Sequence, residues 1–364
     1  MNLDELRAQF PALERVTYLN TATAAPGATP VLEAMRRVED EWVSGEFSWQ
    51  DWEAEAEETR ALFASLVKGR PEHVALVSTV SEAAATVAQS LPQGRVVVGA
   101  REFQSNLFPW LALRDRGFDV VEIQPTEDGV VRTDSLVEAI DDRTVLVAVS
   151  EVQSANGFRV HLDRIAERCR QTGTRLFVDA IQSLGALRFT PGADFVASHG
   201  YKWLCGPRGA AWLSIAPERL TELRPLAPSW KTVPEPYEDY YGGPLLLPEH
   251  ARRVDASLAW LTWPGALAAL RLLAEVDAAA MEERSLALAR AFREEANGRG
   301  FRLVPEDAPS QIVALAVTDP EALRERLRER KVIAAVRGGL LRLGFHGYND
   351  ETDVDAALEA LGKD

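Results

Sequence analysis

The stretch from Arg175 to Ala211, RLFVDAIQSLGALRFTPGADFVASHGYKWLCGPRGAA, constrains the fold of this chain more than any other. Arg175–Asp179 is an apolar run that ends in an acid, and Ala193–Ser198 is a second apolar run that ends in polar residues. Short apolar runs bounded by turn residues read as strands buried on both faces, as in a parallel sheet covered by helices. In open α/β sheets, ligands collect at the carboxyl ends of the strands. Asp179 and Lys202 are therefore predicted to point into one crevice from two neighbouring strand ends.

The same alternation runs along the chain. His73–Val77, Val96–Gly99, Phe118–Ile123, Thr144–Val149 and Ala210–Ile215 read as strands. Leu3–Phe10, Pro30–Val43, Trp49–Val67 and Leu162–Gln171 read as helices. The pattern predicts an α/β three-layer sandwich around a mostly parallel central sheet. Pro264–Ala296 reads as one long helical region. It leads to strands near Phe301–Val304 and Gln311–Val317 and a charged helix over Glu321–Arg330. On this reading residues 1–20 join a small domain, 21–262 form a large ligand-binding domain, and 263–364 form the small C-terminal α/β domain.

Charge and rare residues narrow the function. A formal net charge of −15 argues against nucleic acid or an anionic membrane as partner. Cys169 and Cys205 give no disulfide framework, and the five histidines show no metal-ligand spacing. MNLDELRAQFPALERVTYLN has no secretory apolar region, and no apolar run reaches membrane-spanning length. A soluble cytoplasmic protein without a metal is expected. Ser78–Ala83 opens an alanine-rich helix whose free N–H groups, hydroxyls and dipole suit a phosphate; an ordinary N-cap is the alternative.

Two motifs, Asp179-Ala-Ile-Gln182-Ser-Leu-Gly185 and Ser198-His-Gly-Tyr-Lys202-Trp-Leu-Cys-Gly-Pro207, resemble those of fold-type I pyridoxal-phosphate (PLP) enzymes of the class V aminotransferase group. That group contains cysteine desulfurases, isopenicillin-N-epimerase-like proteins, kynureninases and C–S lyases. The resemblance implies that Lys202 is the Schiff-base lysine, Asp179 pairs with the pyridinium nitrogen and Gln182 hydrogen-bonds the ring hydroxyl. Chemistry supplies reasons for these types. A buried carboxylate keeps the ring nitrogen protonated, and lysine both forms an exchangeable imine and shuttles a proton.

Other segments extend the resemblance. Thr79, Val80 and Ser81 fall on the family's phosphate-binding turn, with contacts expected mainly through backbone. Arg101–Trp110 is similar to a segment in which a histidine stacks on the cofactor; Phe103 holds that place, and it stacks but moves no proton. Ser154 falls where relatives carry a hydrogen-bonding Asn, flanked by Gln153 and Asn156, with the choice among them open. His199 and Tyr201 sit where relatives place phosphate-binding groups. Ala251–Ser257 resembles a stretch whose hydroxyl, here Ser257, reaches the cofactor phosphate of the other subunit, which implies a homodimer with its active site at the interface. Tyr18-Leu-Asn-Thr-Ala resembles the segment that enters the active site, making Asn20 a candidate substrate contact, with turn formation the alternative. The terminal motif implies Arg342 as the substrate-carboxylate clamp, with Arg337 a second candidate.

The resemblance thus implies a PLP enzyme acting at the α-carbon of an amino acid, by β-elimination (C–S lyase) or transamination. Epimerisation and kynureninase-like hydrolysis are the alternatives. A PLP-fold protein that binds partners without turnover is the reading from a different class, and the intact Asp179/Lys202 pair argues against it. Ala334–Leu341 contains no cysteine, and this, with Phe103, argues against a persulfide-forming desulfurase.

Overall fold

The computed structural model describes residues 1–307 and 310–362. The strands are β1 (Thr17–Tyr18), β2 (Val74–Val77), β3 (Arg95–Gly99), β4 (Asp119–Ile123), β5 (Thr144–Ser150), β6 (Arg175–Asp179), β7 (Phe195–His199), β8 (Ala211–Ile215), β9 (Ile312–Ala316), β10 (Val332–Ile333), β11 (Ala335–Arg337) and β12 (Leu340–Gly344). The α-helices are α1 (Leu3–Ala8), α2 (Thr29–Ser44), α3 (Trp49–Leu66), α4 (Val80–Ser90), α5 (Gln104–Leu111), α6 (Thr133–Ala139), α7 (Leu162–Thr172), α8 (Trp263–Ala274), α9 (Ala278–Gly298), α10 (Pro320–Glu329) and α11 (Glu351–Leu361).

Seven strands form the central sheet in the order β2-β8-β7-β6-β5-β3-β4. It is parallel from β7 to β4, and β8 runs antiparallel to both of its neighbours. The apolar runs have a direct explanation. Side chains of a strand alternate between faces, and here both faces are covered. On β3, Val97 enters one core, with α3, α7 and α8, while Val96 and Val98 enter the other, under α4 and α5. On β6, Leu176 and Val178 go to the first core and Phe177 to the second. Helices therefore sandwich the sheet, giving the three layers expected.

A third core packs α9, α10 and α11 against a three-stranded sheet, β11-β12-β9. β1, near the chain start, pairs in parallel with β10, Thr17 opposite Val332. We propose a small domain on the strength of this pairing and the separate third core; α8 packs in the first core, so the expected boundary at 262 moves to the end of α8, and residues 363–364 lie outside the described residues. Among the described residues no helix is long and apolar enough to cross a membrane, and no group of His, Cys, Asp and Glu is placed to hold a metal ion.

Two expectations need correction. The long helical region is two helices: Asp277 interrupts it, and its side chain accepts the Ala279 N–H at 3.0 Å as the cap of α9. Phe301–Val304 is no regular strand. It touches the sheet through one bridge, Leu303 to Leu315, and Pro305, which lacks an N–H, follows it.

One close approach joins the two motifs. A Cβ on Gly185 (φ +102°) would lie 2.1 Å from the Trp203 carbonyl oxygen. Gly185→Ala is expected to cost roughly 2–4 kcal/mol in denaturant unfolding. Gly173→Ala, also left-handed (φ +71°) but in open space, should cost about 1 kcal/mol.

Candidate active site

β6 and β7 are adjacent and parallel, with Asp179 opposite Ala197, so both chains leave the sheet at the same edge. Asp179 ends β6. Its Oδ1 accepts the Ile181 N–H at 3.0 Å, and the residue is buried. Lys202 lies three residues beyond β7, 5% exposed, and its Nζ makes no hydrogen bond among the described residues. The amine stands 5.6 Å from the centroids of both the Phe103 and the Tyr201 rings. Burial pushes the Asp179 carboxyl up to about 6, against the pull of Lys202, and pushes Lys202 down to about 8, helped by the positive Arg342 and Arg337. Each group feels the other, and neither is neutralised by a direct partner.

Three distant segments meet around this pair. The donor-only indole Nε1 of Trp203 gives its proton to Gln182 Oε1 at 2.7 Å, which fixes the amide orientation. Gln182 Nε2 then donates to the Ala22 carbonyl (3.0 Å) and to Ser154 Oγ (3.1 Å). Arg342 donates to the Ser154 carbonyl (2.6 Å) and Oγ (3.2 Å) and to Thr23 Oγ1 (2.9 Å). The Arg342 guanidinium is depressed to about 10 by burial and by Arg337. In the 153–156 loop the two flanking amides are bonded elsewhere. Gln153 pairs with the Val131 backbone and Asn156 with Gly129 and Phe158, which leaves Ser154 turned to the site.

At the other end, α4 begins beside β2. Thr79 caps it by accepting the Glu82 N–H (3.1 Å), and Glu82 Oε2 accepts the Ser78 N–H (2.8 Å). The Val80 side chain is buried in the core, and Ser81 Oγ is 3.2 Å from Thr79 Oγ1. His199 is buried and its Nε2 accepts the Gly209 N–H at 3.0 Å, while Tyr201 meets its ring edge-on at 4.6 Å. Burial with nearby Arg208 and Lys202 holds His199 down at about 4, hence neutral. Asn20 turns the entering segment: its carbonyl accepts from Thr23 and Ala24, and its Oδ1 is buried without a partner. Ser257 is exposed, just after Ala256, whose N–H bonds Leu76 on β2.

Sequence reasoning missed three neighbours. Thr23 was hidden in a small-residue loop, and Trp203 gave no sign that its N–H faces Gln182. Glu102 stood inside the segment similar to the family's, a usable signal. Its carboxylate accepts from the Ser150 N–H (2.8 Å), the Ser150 hydroxyl and Asn106 Nδ2 (3.1 Å), and Ser150 is the strand partner of Asp179. Burial, with Asp179 adding to it, raises Glu102 to about 7.

These groups fit PLP. A buried carboxylate without a cationic partner suits a protonated ring nitrogen. A buried amine without a hydrogen bond suits an aldehyde carbon. Ser154 and Gln182, hydrogen-bonded to each other, are groups able to partner a ring hydroxyl, and the start of α4 is able to offer backbone N–H groups to a phosphate. Beside Phe103 and Arg342 a crevice of about 490 Å³ opens outward past Glu102 and Ser154.

Comparison with known proteins agrees. The chain is 28% identical to an uncharacterized aminotransferase, YcbU, of Bacillus subtilis, over 98% of this chain and 97% of that one. It is 31% identical to a probable cysteine desulfurase of Methanothermobacter thermautotrophicus, over 66% and 63% of the two chains. Among solved structures, the cystine C–S lyase C-DES superposes with a TM-score of 0.86 at 23% identity, covering 97% and 99% of the chains, which establishes the fold; another structure of C-DES holds glycine covalently linked to its PLP cofactor. The aminotransferase class-V family model matches residues 17–357, and the chain belongs to that family.

Proposed function

We propose that this PLP-dependent enzyme removes the α-proton of an amino acid through Lys202 and then expels a substituent from the β-carbon. One observation carries the reading: the Lys202 amine is buried, makes no hydrogen bond among the described residues, and stands 5.6 Å from the Phe103 ring, which has no proton to transfer. When bound, PLP serves as the electron sink that makes an α-proton acidic. Lys202 would hold the cofactor and, as a free amine, would take the α-proton; its depressed pKa favours that role at neutral to mildly alkaline pH. Asp179 holds the ring nitrogen charged. Gln182 and Ser154 hold the ring hydroxyl, while Thr79, Val80 and Ser81, with His199 and Tyr201, hold the phosphate. Phe103 covers the ring face. Arg342 orients the substrate by its α-carboxylate, and Asn20 lines the entrance.

Phe103 also weighs against two-base epimerisation, since its ring carries no proton to give. The crevice leaves space for a β-substituent, which favours elimination. Transamination is the second reading, favoured by the full-length similarity to the Bacillus aminotransferase. We further propose a cytoplasmic homodimer in which Ser257 reaches the partner's cofactor phosphate. Val43 and Tyr241, 85% and 87% exposed, with Trp42, Leu245 and Leu246, give an apolar surface in support.

Lys202→Ala is expected to lose the visible absorption of the reconstituted protein and to lower turnover about 1000-fold or more. Arg342→Ala should keep the colour and lower kcat/KM for amino acids by about 100-fold, measured as keto-acid and ammonia release.

The apoprotein carries a pH signature. Asp179 and Glu102 stay protonated in the folded state at pH values where the unfolded chain has lost those protons. Native protein then binds more protons than unfolded, so stability falls as pH rises from about 4 to 7. Asp179→Asn should flatten that fall in thermal melts of apoprotein and raise the melting temperature at pH 8 by roughly 2 °C or more.

A further inference from the structure

Arg337 ends β11, next to the Gly338-Gly339 turn into β12. It is exposed and makes neither an ion pair nor a hydrogen bond among the described residues, in a chain whose acids outnumber its lysines and arginines by 55 to 40. Half-buried arginines elsewhere are held: Arg159 by Glu151 and Arg175 by Glu222. The Arg337 side chain lines the crevice that also holds Arg342, Phe103 and Phe108. Its charge is felt at both Lys202 and Arg342.

Register puts the two arginines on one face. Arg342 is opposite Ala335, and Arg337 is two residues along from Ala335, so they are diagonal cross-strand neighbours. Such neighbours are about 7–8 Å apart, a span that a short aliphatic chain with an acid at each end can bridge. The carboxyl that shares the crevice, Glu102, is already held by Ser150 and Asn106. An α-carboxylate on Arg342 would leave the charge of Arg337 unmatched. Phe103 and Phe108, 53% and 52% exposed, give apolar walls to the space between.

We propose that Arg337 forms a second anion subsite, and that the substrate is an α-amino acid carrying a further carboxylate at the far end of its side chain. This deepens the Cα-chemistry reading and rests on it for the word substrate; the subsite itself is tested by binding alone. A bidentate guanidinium–carboxylate contact in a partly desolvated crevice discriminates strongly against a neutral end group.

The test is calorimetric titration of the PLP-loaded enzyme with glutarate and with monomethyl glutarate, which has nearly the same length but one charge fewer. Glutarate should bind at least about tenfold tighter. Arg337→Ala should bring the two affinities to within about twofold of each other, and Arg101→Ala, at the third arginine of the same crevice, should leave the preference intact. Equal binding to the unaltered enzyme, or a preference that survives Arg337→Ala, overturns the subsite. An enzyme that shows the preference yet deprotonates no amino acid keeps the subsite and contradicts the proposed reaction. One that turns over neutral amino acids without the preference does the reverse.

Discussion

Everything in this molecule depends on holding a carboxylate and an amine out of water at the ends of two adjacent strands. Neither Asp179 nor Lys202 is comfortable there: burial raises one and lowers the other. An isolated charge in such surroundings is costly, and the cost is tolerable only because a large sheet, apolar on both faces, sets the positions. In the proposed binding mode a cofactor with a cationic ring nitrogen and an electrophilic carbon would relieve both groups at once, and binding it would add stability that the apoprotein lacks.

The supporting shell is built from parts far apart in the chain. Trp203 fixes Gln182, Gln182 fixes Ser154, and Ser154 with Thr23 fixes Arg342. Ala22 and Thr23 come from the N-terminal segment, which β1 ties to β10 near Arg342. Gln182, Ser154, Thr23 and Arg342 are therefore one hydrogen-bonded unit. A shift of β12 moves Arg342 relative to Gln182, so under the proposed roles substrate orientation and cofactor grip are coupled.

Much of this was legible beforehand, for physical reasons. A strand buried on both faces must be continuously apolar, which made β3, β5 and β6 readable, and an acid closing such a run is conspicuous. Asp179 and Lys202 needed only the rule about strand ends. What the sequence hid was contact between segments without a local pattern. Thr23 is one small polar residue among several, and the indole N–H of Trp203 looks the same whether it faces solvent or Gln182. The break at Asp277 was missed because a helix cap inside an alanine-rich, amphipathic stretch barely disturbs the period. The relation of Arg337 to Arg342 needed the antiparallel register of β11 and β12, which no spacing alone supplies.

The most direct test of the central claim is chemical. The PLP-reconstituted protein is reduced with borohydride, digested and mapped by mass spectrometry. The account predicts one reduced cofactor adduct per chain, on the peptide that contains Lys202, and none when Asp179 is replaced by a residue that abolishes binding. An adduct on Lys231, the other deeply buried lysine among the described residues, or no adduct at all, would contradict it.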